Sequence, residues 1–131
     1  MKRLFVAVFL ALGLFAVNPA QAERPELVGV LFYADWCGAC KVLDPKIEAV
    51  KPSFDDAPVL FTRVDLTNRY TRHQSELLTS QLGLADLYAQ YGNKTGFMVL
   101  VEPATGEVRG RLLSAMSEGD IARAIRDALS G

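Results

Sequence analysis

Cys37 and Cys40 stand three positions apart in the run Asp35-Trp36-Cys37-Gly38-Ala39-Cys40, and they are the only cysteines of the chain. Two thiols at this spacing can form a disulfide with each other and exchange it with an outside thiol through a mixed-disulfide intermediate. Their surroundings decide which one reacts first. Leu27 to Ala34 is an apolar run of the kind that forms a strand buried on both faces. Cys40 to Lys51 carries Val42, Leu43, Ile47 and Val50 at helical spacing, with a kink expected at Pro45 and a stop at Pro52. The pair therefore falls where a buried strand hands over to a helix N-terminus, whose free N–H groups and dipole stabilise a thiolate. Cys37 is expected to be the nucleophile, more acidic and more exposed, with a pKa below the free value of about 8.5. Cys40, deeper in the helix, is expected to be the resolving thiol. Two other uses compete. A zinc site needs about four ligands, and only His73 and carboxylates are there to supplement the pair. A purely structural staple would close a very short loop, which constrains the unfolded chain little.

The rest of the chain has to position these two sulfurs. Val59 to Leu66 reads as a second strand, and Thr67 to Lys94 as one or two helices broken near Gly83, with Leu77, Leu78, Leu82, Leu84, Leu87, Tyr88 and Tyr91 as their apolar positions. Phe97 to Glu102 and Glu107 to Leu113 read as a hairpin turned at Pro103-Ala104-Thr105-Gly106. Ser117-Glu118-Gly119-Asp120 looks like a capping box with Asp in place of Glu, opening a helix with Ile121, Ala124, Ile125, Ala128 and Leu129 on one face. A βαβ start followed by a hairpin and a covering helix predicts an α/β fold, a four-stranded mixed sheet with helices on both faces.

At 131 residues the chain suits one domain, and with 50% hydrophobic residues and a net charge of −1 it is not a disordered polymer. Two cysteines cannot make a disulfide-stapled scaffold. The near-neutral charge leaves no footprint for nucleic acid. Met1-Lys2-Arg3, the uncharged stretch Leu4 to Val17 and the small-residue site Ala20-Gln21-Ala22 form the three parts of a secretory signal peptide. The apolar stretch is short for a bilayer, which needs about 20 residues. Residues 1–22 are therefore expected to be removed and residues 23–131 to form the domain, in the periplasm, where disulfides form and persist.

Phe32-Tyr33-Ala34-Asp35-Trp36-Cys37-Gly38-Ala39-Cys40-Lys41 resembles the active-site signature of the thioredoxin superfamily, with Pro45 matching that family's helix-kinking proline. Tyr33 to Cys37 and Ala39 to Lys41 are especially similar to the C-terminal thioredoxin-like domain of the bacterial thiol:disulfide interchange protein DsbD. The resemblance implies a near-minimal thioredoxin-like core, since the family's N-terminal strand and helix have no counterpart between Glu23 and Leu27. It also places Leu31 where the family carries a buried acid, and Gly96 where it carries a cis-proline facing the cysteines. The Thr95–Gly96 peptide is expected to be trans, because cis is cheap only before proline. The stretch from Thr67 to Lys94 is longer than in the family and is a candidate partner surface.

Together these readings predict an exported thiol:disulfide oxidoreductase, by its resemblance a reductase, acting on protein thiols or disulfides with no cofactor and no bound metal. Cys37 and Cys40 form its redox-active disulfide. Trp36, Gly38, Ala39, Thr95 and Gly96 are expected to line the substrate groove. A monomer is expected, with a membrane electron donor as a further partner, and membrane attachment only if the signal peptide stays on. Two alternatives stand beside this: a non-catalytic thioredoxin-like binding module, and a metal carrier that uses the two cysteines. His73, in a polar stretch, reads as a surface side chain.

Overall fold

A computed structural model describes residues 24–131, so the signal peptide expected at 1–22 and the cleavage expected after Ala22 lie outside the described residues. The element order is β1 (Leu27–Tyr33), α1 (Gly38–Val50), a 3₁₀ turn (Lys51–Phe54), β2 (Val59–Asp65), α2 (Arg69–Gln81), α3 (Ala85–Tyr91), β3 (Phe97–Val101), β4 (Val108–Leu113) and α4 (Glu118–Ser130). The four strands make one sheet in the order β2-β1-β3-β4. β1 and β2 run parallel, with Leu27 opposite Val59 and Tyr33 opposite Asp65. β3 returns antiparallel to β1, with Phe32 opposite Phe97, and β4 closes the hairpin with Leu113 opposite Phe97. This is the mixed sheet expected from the sequence.

Alternation along β1 builds two cores. Leu27 and Leu31 point to one face and meet Leu43 and Ile47 of α1, Ile121 and Ile125 of α4, and Met98, Leu100 and Leu112 of the hairpin. Val28, Val30 and Phe32 point to the other face, among Val64, Leu66, Leu84, Leu87, Phe97 and Val99. Each such side chain contributes about 1.5–3 kcal/mol on leaving water. β1 is thus anchored from both sides, and its C-terminal end delivers the cysteines to a fixed place.

Three details differ from the sequence reading. The helix after the cysteines starts at Gly38 rather than Cys40, because the Cys37 side chain caps it. Pro52 does not stop the chain from coiling but sits inside the 3₁₀ turn that follows α1, where its fixed φ is tolerated. Leu77, Leu78 and Val42 are not core residues. They are 54%, 41% and 49% exposed. α2 instead buries the small polar residues Ser75 and Thr79. The Ser75 hydroxyl accepts the Asp65 N–H at 2.8 Å and lies 3.1 Å from the Asp65 carbonyl, to which it donates. Thr79 donates to the Ser75 carbonyl at 2.8 Å. A hydroxyl clasp, not an apolar stripe, docks α2 on the end of β2.

Both longer helices after β2 carry the caps that their sequences call for. The Asn68 side chain accepts from the N–H groups of Tyr70 and Thr71 at the start of α2. Ser117 and Asp120 form the reciprocal box at the start of α4.

Candidate active site

Cys37 ends the loop after β1 and serves as the N-cap of α1, with extended backbone angles of φ −86° and ψ 110°. Its N–H donates to the Ala34 carbonyl at 3.1 Å, which fixes the turn. Cys37 and Cys40 are joined in a disulfide with Cα atoms 5.3 Å apart, within the usual range for such a bond. Cys37 is 7% exposed and Cys40 is fully buried.

The polar surroundings of the two sulfurs are opposite in sign. Cys37 Sγ accepts the Cys40 N–H at 3.2 Å, at the N-terminus of α1. Donors and the positive end of the helix dipole favour a negative sulfur. Cys40 Sγ lies 3.7 Å from the Phe32 carbonyl. Once the disulfide is reduced, that carbonyl can accept a proton-bearing thiol but cannot stabilise a thiolate. The arrangement can therefore hold the reduced pair as a thiolate at 37 beside a thiol at 40.

The residues expected around the pair are gathered there to different degrees. Gly38 and Ala39 form the exposed first turn of α1. Trp36 is 61% exposed and its indole N–H donates to the Thr67 carbonyl at 3.2 Å. The Thr67 hydroxyl accepts the Asp35 N–H at 3.0 Å. Two bonds thus strap the cysteine loop to the loop that leads into α2. Thr67 was not among the candidates. A hydroxyl residue two positions past a strand whose parallel neighbour leads into the cysteine loop is the signal that marks it.

Gly96 lies against the disulfide as expected. Its φ is +96°, and a Cβ there would stand 3.0 Å from Ala39 Cβ and 3.5 Å from Cys37 Sγ. Its N–H donates to the Phe32 carbonyl at 2.9 Å. No peptide bond is cis among the described residues, so the Thr95–Gly96 bond is trans. Thr95 precedes it, half-buried.

Leu31 is 2% exposed and packs wholly within the apolar cluster beneath α1. Its register partner on β2, Arg63, donates from Nη2 to both carboxylate oxygens of Asp44, at 2.6 and 2.7 Å. Arg63 also lies over the Tyr33 ring, 4.4 Å from its centroid. Asp65 does not pair with Arg63 but accepts the Thr67 N–H at 2.8 Å. His73 is exposed on α2, 3.9 Å from Glu76. Among the described residues no cluster of three or more metal-ligating side chains is formed.

The sequence model of the thioredoxin family matches residues 16–77. The Drosophila melanogaster protein Thioredoxin-T is 43% identical over 35 residues, which cover 27% of this chain and 22% of that protein. A Chlamydia trachomatis thioredoxin is 35% identical over 52 residues, covering 40% of this chain and 51% of its own length. The chain thus spans about half, or less, of the length of these curated relatives. Among solved structures, a thiol:disulfide interchange protein of the thioredoxin family from Chlorobium tepidum superposes with a TM-score of 0.56 at 19% identity, over 82% of each chain. The fold is thioredoxin-like.

Proposed function

We propose that this chain is a member of the thioredoxin superfamily and an exported thiol:disulfide oxidoreductase, working as a reductase on protein disulfides in the periplasm. The observation that carries the reading is the Cys37–Cys40 disulfide itself. It sits at a helix N-terminus, with a hydrogen-bond donor on the outer sulfur and an acceptor on the inner one.

The chemistry closes as a two-electron exchange. In the reduced protein the Cys37 thiolate attacks one sulfur of a substrate disulfide and expels the other as a thiolate, which takes up a proton. Cys40, on losing its proton, then attacks Cys37 Sγ in the mixed disulfide and releases the second substrate thiol. The protein ends as the Cys37–Cys40 disulfide and the substrate as two thiols. Regeneration needs a dithiol reductant, for which a membrane electron donor is the proposed source. Trp36, Gly38, Ala39, Thr95 and Gly96 are the proposed walls of the substrate groove.

The reductase direction follows the resemblance of Tyr33 to Cys37 and Ala39 to Lys41 to the DsbD domain. It is tested by equilibrating the purified protein against glutathione and counting free thiols. A reductase should show a single two-electron transition near the thioredoxin value of about −270 mV, and an oxidase one nearer the DsbA value of about −120 mV. A protein whose thiols do not titrate reversibly is not an exchange enzyme, and metal bound on purification would favour the carrier reading. Trapping with Cys40→Ser names the partner as a mixed disulfide. N-terminal sequencing of the envelope protein should begin at Glu23. A retained Met1 with membrane association would place the same chemistry on an anchored protein.

A further inference from the structure

The charges are unevenly placed around this site. Arg69 and Arg72 lie on α2, Lys94 in the loop before β3 and Arg111 on β4, and none has an acidic partner within salt-bridge distance among the described residues. The three arginines make uncharged contacts instead. Arg69 lies over the Tyr70 ring at 5.2 Å, and Arg72 donates to the Gly92 carbonyl at 3.5 Å. Arg111 lies over the Phe97 ring at 4.4 Å, with Tyr91 at 5.6 Å. Lys94 is exposed two residues before Gly96, whose site for a Cβ is 3.5 Å from Cys37 Sγ. Arginines on the other elements are mostly neutralised: Arg63 by Asp44, Arg109 by Glu102 and Arg123 by Asp120.

The same arc holds two exposed aromatic rings. Trp36 is 61% and Tyr70 71% exposed, and both spring from the short stretch tied together at Thr67. Large rings left in water beside a reactive sulfur form a stacking platform. Cations left without partners around that platform form a field for negative charge. Asp35 and Asp65 are the carboxylates on these loops, and Asp65 is turned inward onto the Thr67 N–H.

We propose that the substrate of this site is an acidic segment, extended across Trp36 and Tyr70, with Asp or Glu residues on either side of its reacting cysteine. This deepens the exchange activity proposed above and rests on it. The acidic side chains meet Arg69 and Arg72 on the α2 side and Lys94 and Arg111 on the β3 side, while the cysteine lies over Cys37. Opposite charges speed encounter and hold the register, and bring the disulfide to the thiolate with little demand on the rest of its sequence. The length of the 67–94 segment gains a purpose here, since the β2–α2 loop and α2 carry Tyr70, Arg69 and Arg72.

The test uses the reduced protein and three symmetrical peptide disulfides, with the cysteine flanked by acidic, neutral or basic residues. Each rate is divided by that of a small neutral thiol on the same peptide, which removes the peptide's own reactivity. At about 20 mM salt the acidic peptide should react at least about tenfold faster than the basic one. The ratio should shrink severalfold in 0.5 M salt, where the screening length falls below about 5 Å. Arg72→Glu with Lys94→Glu should bring the ratio to one or invert it, whereas Arg126→Glu on α4 should leave it unchanged. Equal rates for the acidic and basic peptides at low salt overturn the proposal. So does a ratio untouched by the double change in a protein whose thermal melt is intact. Reaction with the neutral peptide reports separately on exchange itself: if none of the three peptides reacts, it is the exchange reading that fails.

Discussion

Gly96→Ala is the sharpest probe of how the loop before β3 meets the disulfide. The glycine has a φ of +96°, a region that L side chains resist at about 1–3 kcal/mol. The added methyl would also stand 3.0 Å from Ala39 Cβ and 3.5 Å from Cys37 Sγ. The first distance is too close for two methyl groups, so the loop or the first turn of α1 must yield. The two effects together should cost about 2–3 kcal/mol. In a domain of this size that lowers the melting temperature by roughly 10 °C. A second variant separates the causes. Ala39→Gly removes the methyl that Gly96→Ala would strike, so the double variant should recover about 0.5–1 kcal/mol relative to additivity and leave the backbone strain in place. Gly96→Pro should be worse than Gly96→Ala, because proline fixes φ near −65° and removes the N–H that bonds to the Phe32 carbonyl. Urea unfolding of the oxidised proteins gives these differences, and exchange with a neutral peptide disulfide reports the effect on the site. If Gly96→Ala unfolds within about 0.5 kcal/mol of the parent, the positive-φ, close-contact account of this loop is wrong.

Alkylation of the reduced protein at pH 6 should label Cys37 well before Cys40, since Cys40 is fully buried and faces only a carbonyl. Equal labelling, read by peptide mapping, would overturn the division of roles. Ser117→Ala should cost about 1 kcal/mol by removing the cap of α4. Asp120, held below the usual carboxylate range chiefly by the Ser117 hydroxyl and N–H, contributes stability above its unfolded pKa and loses it as pH falls through the lowered folded value. The difference between the parent and Asp120→Asn should accordingly narrow on acidification in a pH series of melts. Arg63→Ala should cost at most about 1 kcal/mol, because its pair with Asp44 is half-exposed, and that cost should shrink in high salt.

The architecture was legible because it is written in local periodicity. The apolar run of β1, the hairpin with its Pro-Ala-Thr-Gly turn and the Ser117–Asp120 box each carry their signal within a few residues. What the sequence hid depends on partners far along the chain. Leu77 and Leu78 look like core because they are leucines in a helix, yet α2 is turned so that Ser75 reaches the Asp65 backbone. No periodicity in α2 reports that clasp. The cysteine pair and its place at a strand–helix junction could be read directly, whereas the cap made by Cys37 itself moved the start of the helix forward. Gly96 was legible as a position near the sulfurs only through resemblance. Its positive φ and its contact with Ala39 are matters of tertiary geometry.

The site differs from a simple pair of thiols in how its two ends are served. Cys37 has a donor, a helix N-terminus and more exposure than Cys40, so the charge that the proposed exchange needs at its start has a place to reside. Cys40 has none of these. It is closed over by Ala34 and Tyr33, and Leu31 beneath α1 supplies apolar contact but no site for a proton. The Phe32 carbonyl stabilises the protonated inner thiol and so opposes its release of the proton. For the proposed exchange, the resting geometry would therefore favour attack on a substrate but not resolution. A mixed disulfide at Cys37 removes the neighbouring negative charge, and with it the repulsion that kept Cys40 protonated. That change in charge, rather than a fixed carboxylate at position 31, is what the structure offers to drive the second step. In the exchange proposed above, the partner would stay bound for as long as the proton stays on Cys40, and the exposed rings of Trp36 and Tyr70, with Arg69 over the latter, would give it something to hold during that interval.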